Sequence, residues 1–358
     1  MRRFRQLSRL VLAALWVLVA GIGGQAWAAP QYWLRPAGPV AAMQGQLFLL
    51  TLYIMIGIAV VVSAILVYTL VRFRERGQAA AGAAGTAAQR ETAAAADDLP
   101  PQIEGSHTLE VIWTVIPFLL LIIMAIPTVR LNFALAADPG DDALQIRVVG
   151  HQWWWEFEYP ELGIVTGNEI RIPVGRPVKL TIETNDVIHK FWVPKLAGKM
   201  DAIPGRVNHM WLQADEPGIY WGQCAEMCGT HHANMRMRVV ALPPEEFEEW
   251  VRNWGRGPVV EDEAQLAAVE RGREVFETRA CFACHAIEGT TAQGDVGPNL
   301  TDIGVRTTLA AGMMQNTPEN LARWISDPQS IKPGSLMPVV GLTPQELSDL
   351  VTYLTSLK

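Results

Sequence analysis

Two long runs without a formal charge constrain the fold of this 358-residue chain more than any other feature. The first covers residues 47–71 and the second covers residues 111–129. About 20 consecutive apolar residues are enough for a helix to cross a lipid bilayer. Pro117 and Pro127 lie inside the second run, and membrane helices tolerate proline because neighbouring groups satisfy the freed carbonyls. The two runs therefore predict a transmembrane hairpin within residues 29–135.

The segments around these runs predict how the hairpin is oriented. Residues 1–28 combine an arginine-rich start, an apolar stretch and a small-residue cleavage site after Ala28, as in a secretory signal peptide. The loop between the runs is rich in Ala and Gly, and it opens with Arg72, Arg74 and Arg76. Because positive residues favour the cytoplasmic side, we expect this loop in the cytoplasm and everything after the second run on the outer side.

Beyond the second run the sequence pattern changes twice. Between about residues 144 and 241, short apolar and β-branched runs alternate with turns rich in Pro, Gly, Asn and Asp, which is typical of a β-sandwich or barrel. Residues 264–358 begin and end with helical patterns, separated by a loop region rich in Gly, Pro and Thr. We therefore predict a β-domain over residues 136–255 and a small separate domain over residues 264–358.

The stretch CAEMCGTHHANM, residues 224–235, combines residue types that ligate metals. Its candidate ligands are Cys224, Cys228, His232 and Met235. A thioether is a poor ligand for zinc and a good one for copper, but a mononuclear blue-copper site takes one cysteine and two histidines. His189, upstream in VIHKFWVP, is the candidate for the second histidine. Two thiolates can bridge two copper ions, and each ion can then bind one of the two histidines. This ligand set therefore favours two copper ions over one.

The motif CFACH, residues 281–285, predicts a second cofactor. In Cys-x-x-Cys-His both thiols can form thioethers to haem, and the adjacent histidine can become an axial ligand of the iron. The four cysteines of an exported chain can also form two disulfides. However, each pair has short local spacing and a histidine just after it, and the βαβ context of a thioredoxin-like site is absent. We therefore predict covalent haem c on Cys281 and Cys284, with His285 as axial ligand.

Taken together, these motifs resemble subunit II of cytochrome c oxidase, of the type that carries the binuclear copper centre CuA. The resemblance covers nearly all of residues 40–250, and it rests on the ligand stretch, HKFWVP, LEVIWTVIP, GHQWWWEFEYP and DAIPGRVN. It implies a cupredoxin-like β-barrel after the two-helix hairpin. The copper ligands that it implies are His189, Cys224, Glu226 through its carbonyl, Cys228, His232 and Met235.

Residues 264–358 resemble an all-α class I cytochrome c. Three methionines compete for the sixth position of the iron, and they are Met313, Met314 and Met337. Met337 lies in GSLMP just before the last helix, where the axial methionine of that family also precedes a proline. The resemblance therefore implies Met337 as the second axial ligand, and it implies loop packing for the other two. Gly272, Phe276 and Tyr353 match the packed terminal helices of that family.

The resemblance implies roles for three more positions. The side chain of Glu226 helps to bind a magnesium ion that is shared with subunit I. Trp153 is the tryptophan through which electrons enter, close to the surface. Glu110 matches a glutamate at the mouth of a proton channel in subunit I, where protons are translocated. His231 is one residue off the ligand spacing, so we interpret it as a neighbour of the site.

The function that the resemblance implies is electron transfer from a donor, through haem c and CuA, to subunit I, where oxygen is reduced to water. The implied partners are subunits I and III, membrane lipid, and a donor cytochrome c or a quinol–cytochrome c reductase, but no nucleic acid. Quinol-oxidising relatives lack the copper ligands that are kept here. The implied location is the bacterial inner membrane, with the redox domains on the periplasmic face. The alternative is a membrane-tethered copper and haem carrier without an oxidase partner.

Overall fold

The computed structural model describes residues 31–73 and 105–358. The predicted signal peptide and most of the predicted cytoplasmic loop lie outside these residues. The chain divides into two compact units. One unit is Gln46–Asn132, and the other combines Phe133–Lys358 with the N-terminal residues up to Gly45.

Two long helices contain the uncharged runs. They are α1 (Pro39–Arg72) and α2 (His107–Ala136). Both are long and apolar enough to cross a membrane, and the most apolar stretch of each helix is not buried against the rest of the described chain. An apolar surface of this extent is stable only against lipid or another apolar surface, as expected of membrane helices. Pro117 and Pro127 lie inside α2 without ending it.

The β-domain consists of two five-stranded sheets. Their strands are β1 (Leu144–His151), β2 (Trp154–Tyr159), β3 (Ile164–Gly167), β4 (Glu169–Pro173), β5 (Val178–Thr184), β6 (His189–Trp192), β7 (Lys199–Ala202), β8 (Asn208–Leu212), β9 (Gly218–Cys224) and β10 (Arg236–Leu242). The first sheet has the order β3-β2-β1-β5-β8 and the second has the order β4-β10-β9-β6-β7. Helix α3 (Pro244–Asn253) follows the last strand. The cupredoxin-like prediction is thereby confirmed.

Alternation along the strands builds the core of the β-domain. In β5 every second residue is buried, with Leu180 and Ile182 fully inside, because successive side chains of a strand point to opposite faces. The run Trp153–Trp155 follows the same rule only in part. Trp155 is fully buried, and Trp154 is nearly so, whereas Trp153 is half-buried. The prediction that at least one of these tryptophans packs in the core is correct.

The C-terminal domain combines helices with long loops and one short ladder. Its elements are α4 (Glu263–Thr278), β11 (Thr308–Leu309), β12 (Met314–Gln315), α5 (Pro318–Ser326), α6 (Pro328–Ile331) and α7 (Pro344–Ser356). Helices α4 and α7 cross closely at Gly272, where an added Cβ would lie 2.1 Å from the carbonyl oxygen of Asp349. The rings of Phe276 and Tyr353 pack edge to face beside this crossing, at 6.1 Å. The predicted packing of the terminal helices is therefore present.

Candidate functional site

Strand pairing brings the predicted copper ligands together. Strand β9 ends at Cys224, and residues 224–235, the ligand loop, lead from there into β10. Strand β6 pairs with β9, with Phe191 opposite Cys224, so His189 at the start of β6 lies beside the ligand loop. The upstream histidine thus reaches the cysteines through the sheet rather than through local sequence.

The donor atoms form a chain of short separations. The Sγ atoms of Cys224 and Cys228 lie 3.8 Å apart. This distance excludes a disulfide, whose sulfurs are about 2.05 Å apart, and it lets both sulfurs contact one cation at about 2.3 Å. The other separations are 3.9 Å from His189 Nδ1 to Cys224 Sγ, 3.8 Å from His232 Nδ1 to Cys228 Sγ, 3.8 Å from Met235 Sδ to Cys228 Sγ, and 3.2 Å from the Glu226 carbonyl to Cys224 Sγ. Two thiols, two imidazoles, a thioether and a carbonyl suit copper.

The two thiols differ strongly in pKa. Both cysteines are buried. The hydrogen bond between them lowers the pKa of Cys224 to about 3, and the same contact raises the pKa of Cys228. The pair therefore loses its first proton easily and holds the second. A bound cation takes the place of that second proton, so metal binding to this pair releases protons.

Asp186 orients His189. Its Oδ1 atom lies 2.8 Å from His189 Nε2, which directs the other ring nitrogen, Nδ1, to the sulfur of Cys224. A carboxylate behind a metal-ligating histidine fixes the tautomer of the ring and raises its basicity. Asp186 was not predicted from the sequence. The only signal was an acidic residue three positions before the histidine, in the turn TNDVIH.

The side chain of Glu226 contacts other groups than its backbone carbonyl does. Its carboxylate lies 3.0 Å from Lys190 Nζ, and the same ammonium lies 3.1 Å from Asp201. The side chain of Glu226 is 42% exposed, so another chain can reach it. The residue thus offers its carbonyl to the cysteines and its carboxylate to the surface.

Two other predicted residues lie apart from this cluster. His231 is buried, and its Nε2 atom donates a hydrogen bond to the carbonyl of Pro333 at 2.6 Å. Its ring is therefore engaged with the C-terminal domain, in keeping with its interpretation as a neighbour. Glu110 lies in the first turn of α2, in the other compact unit, and it is exposed.

The haem-binding motif opens onto a cavity of about 220 Å³. Its walls include Cys281, Cys284, His285 and Met337, and we call it the haem cavity. The Nδ1 atom of His285 lies 2.8 Å from the carbonyl of Pro298, and burial lowers the pKa of this histidine, so the ring is neutral and keeps Nε2 free for a metal. A Cβ on Gly297 would lie 2.5 Å from His285 Cε1. The cavity and its packed histidine fit a haem.

Residues of the β-domain complete the wall of the haem cavity. Gln152, Trp153 and Trp154 line it together with the haem-binding motif. Gln152 Nε2 and Trp153 Nε1 also donate hydrogen bonds to the carbonyl of Cys228, at 2.7 Å and 2.9 Å. One short segment therefore borders the haem cavity on one side and contacts the ligand loop on the other.

A buried ion cluster joins the β-domain to the C-terminal domain. Asp302 accepts hydrogen bonds from Arg306, in its own domain, at 2.6 Å, and from Arg171 of the β-domain at 2.8 Å. Burial alone would raise the pKa of Asp302, but the Arg306 and Arg171 guanidinium groups lower it below its ordinary value. Thr166 of the β-domain donates to the same carboxylate. The charges are paired across the interface and are almost entirely shielded from water.

A second buried carboxylate strengthens the same interface. Glu169 of the β-domain is fully buried. It accepts hydrogen bonds from the backbone N–H groups and the hydroxyl groups of Thr307 and Thr308. Buried polar groups that are satisfied only across an interface define one relative orientation of its two sides, because any other docking leaves them unpaired.

Comparison with protein families matches three parts of the chain. The family model for the transmembrane domain of cytochrome c oxidase subunit II matches residues 29–131, and the model for its periplasmic domain matches residues 163–242. The cytochrome c model matches residues 269–358. These matches cover α1, most of α2, the ligand loop and the haem-binding motif.

Individual relatives agree with the family models. The chain is 40% identical over 331 residues to cytochrome c oxidase subunit 2 of Alkalihalophilus pseudofirmus, which covers 91% of this chain and 90% of the relative. It is 35% identical to the Bacillus subtilis subunit, over 98% of this chain and 97% of the relative. Quinol oxidase subunit 2 of Bacillus spizizenii is 34% identical over 70% of this chain and 73% of its own length.

A solved structure also matches part of the chain. The periplasmic domain of subunit II of cytochrome oxidase from Bradyrhizobium japonicum is 32% identical and covers 32% of this chain and 94% of its own, with a TM-score of 0.31. The family models imply copper in the β-domain and haem in the C-terminal domain. They also argue against a carrier without an oxidase partner. The chain therefore belongs to the cytochrome c oxidase subunit II family, with a cytochrome c domain at its C-terminal end, and it is a subunit of a haem–copper terminal oxidase.

Proposed function

We propose that this subunit receives electrons at haem c and passes them through a binuclear copper centre to subunit I, where oxygen is reduced to water. When bound, the two cofactors supply sites that take up and release single electrons. The position of Trp153 carries the proposal. This residue borders the haem cavity, and its indole donates a hydrogen bond to the carbonyl of the predicted copper ligand Cys228. The protein thereby joins the two cofactor sites through one residue.

The arrangement of the two histidines supports two copper ions. His189 and the sulfurs of both cysteines have donor atoms within 4.8 Å of one another. His232 is not in that group, although its Nδ1 atom lies 3.8 Å from the sulfur of Cys228. The two imidazoles therefore contact different sulfurs of the pair. Two bridged ions, each with one histidine, use this arrangement better than one ion does, with Met235 and the Glu226 carbonyl as the weaker ligands.

The lining of the haem cavity supports covalent haem on Cys281 and Cys284, with His285 and Met337 as axial ligands. Met337 lines the cavity, and its carbonyl accepts a hydrogen bond from Gln329 at 2.8 Å. Met313 and Met314 do not belong to the lining of this cavity, among the residues that the structure describes. Their position favours packing over ligation.

The wider assembly follows from the family. We propose a bacterial inner-membrane location, with domains 136–255 and 264–358 on the periplasmic face and the 29–135 hairpin in the membrane. The exposed Glu226 carboxylate then helps to bind a magnesium ion shared with subunit I, and Glu110 lies at the mouth of a proton channel of that subunit. Subunit III is a further partner. The complete set of copper ligands favours a cytochrome c or a quinol–cytochrome c reductase, rather than quinol itself, as donor.

Replacing a bridging cysteine tests this route. In Cys224→Ser, an external donor should still reduce haem c at the wild-type rate, because the haem cavity is unchanged, while oxygen uptake by the assembled oxidase stops. Met227→Ser is the matched control, since Met227 lies in the same loop but is 73% exposed and is not a predicted ligand. Sustained oxygen uptake in Cys224→Ser would show that electrons bypass the copper site.

A further inference from the structure

We propose that Lys332 is a positioning residue for electron transfer, which holds the backbone of Trp153 and of the ligand loop against the haem cavity. This inference rests on the proposed function. Lys332 follows α6 in the C-terminal domain, is only 4% exposed and lines the haem cavity. It therefore lies where the two cofactor sites meet.

The ammonium group of Lys332 is bound entirely by carbonyls. Its Nζ atom lies 2.7 Å from the carbonyl oxygen of Trp153, 3.4 Å from that of Asn234 and 3.5 Å from that of Ala310. A lysine has three N–H donors, so the three carbonyls account for all of them. Two of these carbonyls belong to the β-domain. No ion pair to Lys332 is present within residues 31–73 and 105–358.

A buried lysine without a carboxylate partner is costly. Removal of an ammonium group from water costs free energy unless hydrogen bonds replace its hydration. Burial accordingly lowers the pKa of Lys332 to about 7. A methionine of similar length would fill the same space without this cost. What distinguishes lysine at this position is the donation of hydrogen bonds to backbone across the interface.

The bonded carbonyls belong to the segments that connect the two sites. Lys332 holds the carbonyl of Trp153, while the indole of Trp153 donates to Cys228 on the ligand loop. Asn234, the other β-domain partner, directly precedes a predicted copper ligand in the chain. The next residue, Pro333, accepts a hydrogen bond from His231. Two consecutive residues of the cytochrome domain thus hold both the tryptophan and the ligand loop.

Loss of these bonds should slow the internal step and leave the steps on either side unchanged. In full-length Lys332→Met within the oxidase, we expect electron transfer from haem c to copper to slow by about 10-fold, because a misplacement of about 1 Å between reacting groups can slow a reaction by as much as about 100-fold. Reduction of haem c by an external donor and the paramagnetic resonance spectrum of the copper site should stay as in the wild type. Lys358→Met is the matched control, because Lys358 is the other lysine of this domain and is exposed.

Two readouts separate positioning from a general loss of structure. Hydrogen exchange measured by mass spectrometry should speed up in the Trp153 segment and the ligand loop of Lys332→Met, while α4 and α7 stay protected. A double-mutant cycle with Trp153→Phe should be non-additive: Lys332→Met should change the internal rate by less than ~2-fold in that background. Should the methionine variant not assemble, Lys332→Leu, which likewise donates no side-chain hydrogen bond, replaces it in the same cycle.

Failure of the role of Lys332 and failure of the proposed function would give different results. An internal rate within ~2-fold of the wild type in the Lys332 variant, or additive effects in the cycle, would overturn the role of Lys332. A wild-type protein without any transfer from haem c to copper would instead contradict the proposed function. The two results come from different proteins and cannot be confused.

Discussion

Asp186 is the residue on which the orientation of His189 depends. Its carboxylate binds Nε2 of the ring and leaves Nδ1 for the metal. Partners of this kind typically contribute 10- to 100-fold to metal affinity. We therefore expect Asp186→Asn to lower copper affinity by about that factor, measured by competition with a chelator. Asp215→Asn, at an exposed aspartate of the same domain, should leave the affinity unchanged, and an equal loss in both variants would contradict the account.

Met337 is the one of three competing methionines that we propose as the second axial ligand. In Met337→His the haem should stay attached, because Cys281 and Cys284 are untouched, but the absorption near the red edge that comes from methionine bound to iron should disappear. Met313→Leu is the control and should keep this band. If Met313→Leu loses the band and Met337→His keeps it, the assignment of the ligand is wrong.

Residue spacing predicted the cysteines and histidines of both candidate sites, and the family resemblance implied the remaining ligands. The ligand loop and the haem-binding motif are local patterns, so their cysteines and histidines are visible in the sequence. Asp186 and Lys332 were not predicted, because each acts through a hydrogen bond that exists only after folding. A lysine before a Pro-Gly turn looks like an ordinary surface residue, and only its burial shows otherwise.

At the scale of elements, hydrophobic pattern was the strongest guide. The uncharged runs 47–71 and 111–129 lie inside longer helices, because flanking residues with few charges continue the same backbone hydrogen bonding. Short apolar and β-branched runs separated by turn residues predicted the β-domain. The ladder of β11 and β12 was not predicted, since two-residue strands are too short to show a period.

The contact between the β-domain and the C-terminal domain should contribute measurably to the free energy of unfolding. Removal of Asp302 leaves Arg171 and Arg306 buried without a counter-charge. Loss of one partner from a buried ion pair costs about 3–5 kcal/mol. We expect Asp302→Ala to lower the free energy of unfolding by about this amount, measured by denaturant titration of the full chain.

A matched control and the pH dependence make this test specific. Glu248→Ala breaks an exposed ion pair with Arg252 and should change the stability by less than about 1 kcal/mol. The folded-state pKa of Asp302 lies below its ordinary value. Its contribution is therefore fully present above the ordinary aspartate pKa of about 3.9, and it is lost as the pH falls below that value. Equal stability of Asp302→Ala and the wild type at neutral pH would contradict a buried ionic interface.

At the scale of the whole molecule, the sequence predicted the three parts of the chain but not how its redox domains meet. The order of hairpin, copper domain and cytochrome domain follows from composition and motifs. The docking rests on Thr166, Glu169 and Arg171, which lie on ordinary strands of the β-domain and have no distinctive spacing. Only the folded structure shows that these three residues face the cytochrome domain.

The charge of residues 131–358 predicts that the two proposed electron-transfer steps differ in their dependence on salt. From residue 131 onward the chain carries 19 basic and 30 acidic residues. This excess of negative charge attracts a basic donor, and salt screens such attraction. The contact between the haem cavity and the ligand loop is internal and partly buried, so salt has little effect there. The first step should therefore slow with ionic strength, and the second should not.

In the proposed route, electrons reach copper by way of haem c. The most direct test mixes the fully oxidised oxidase with a reduced external donor in a stopped-flow instrument and follows the absorption of haem c and of copper separately. We predict that haem c is reduced first and that copper follows at a rate independent of donor concentration, because the second step occurs within one chain. Copper reduced before haem c, or at a rate that rises in proportion to donor concentration, would contradict this order.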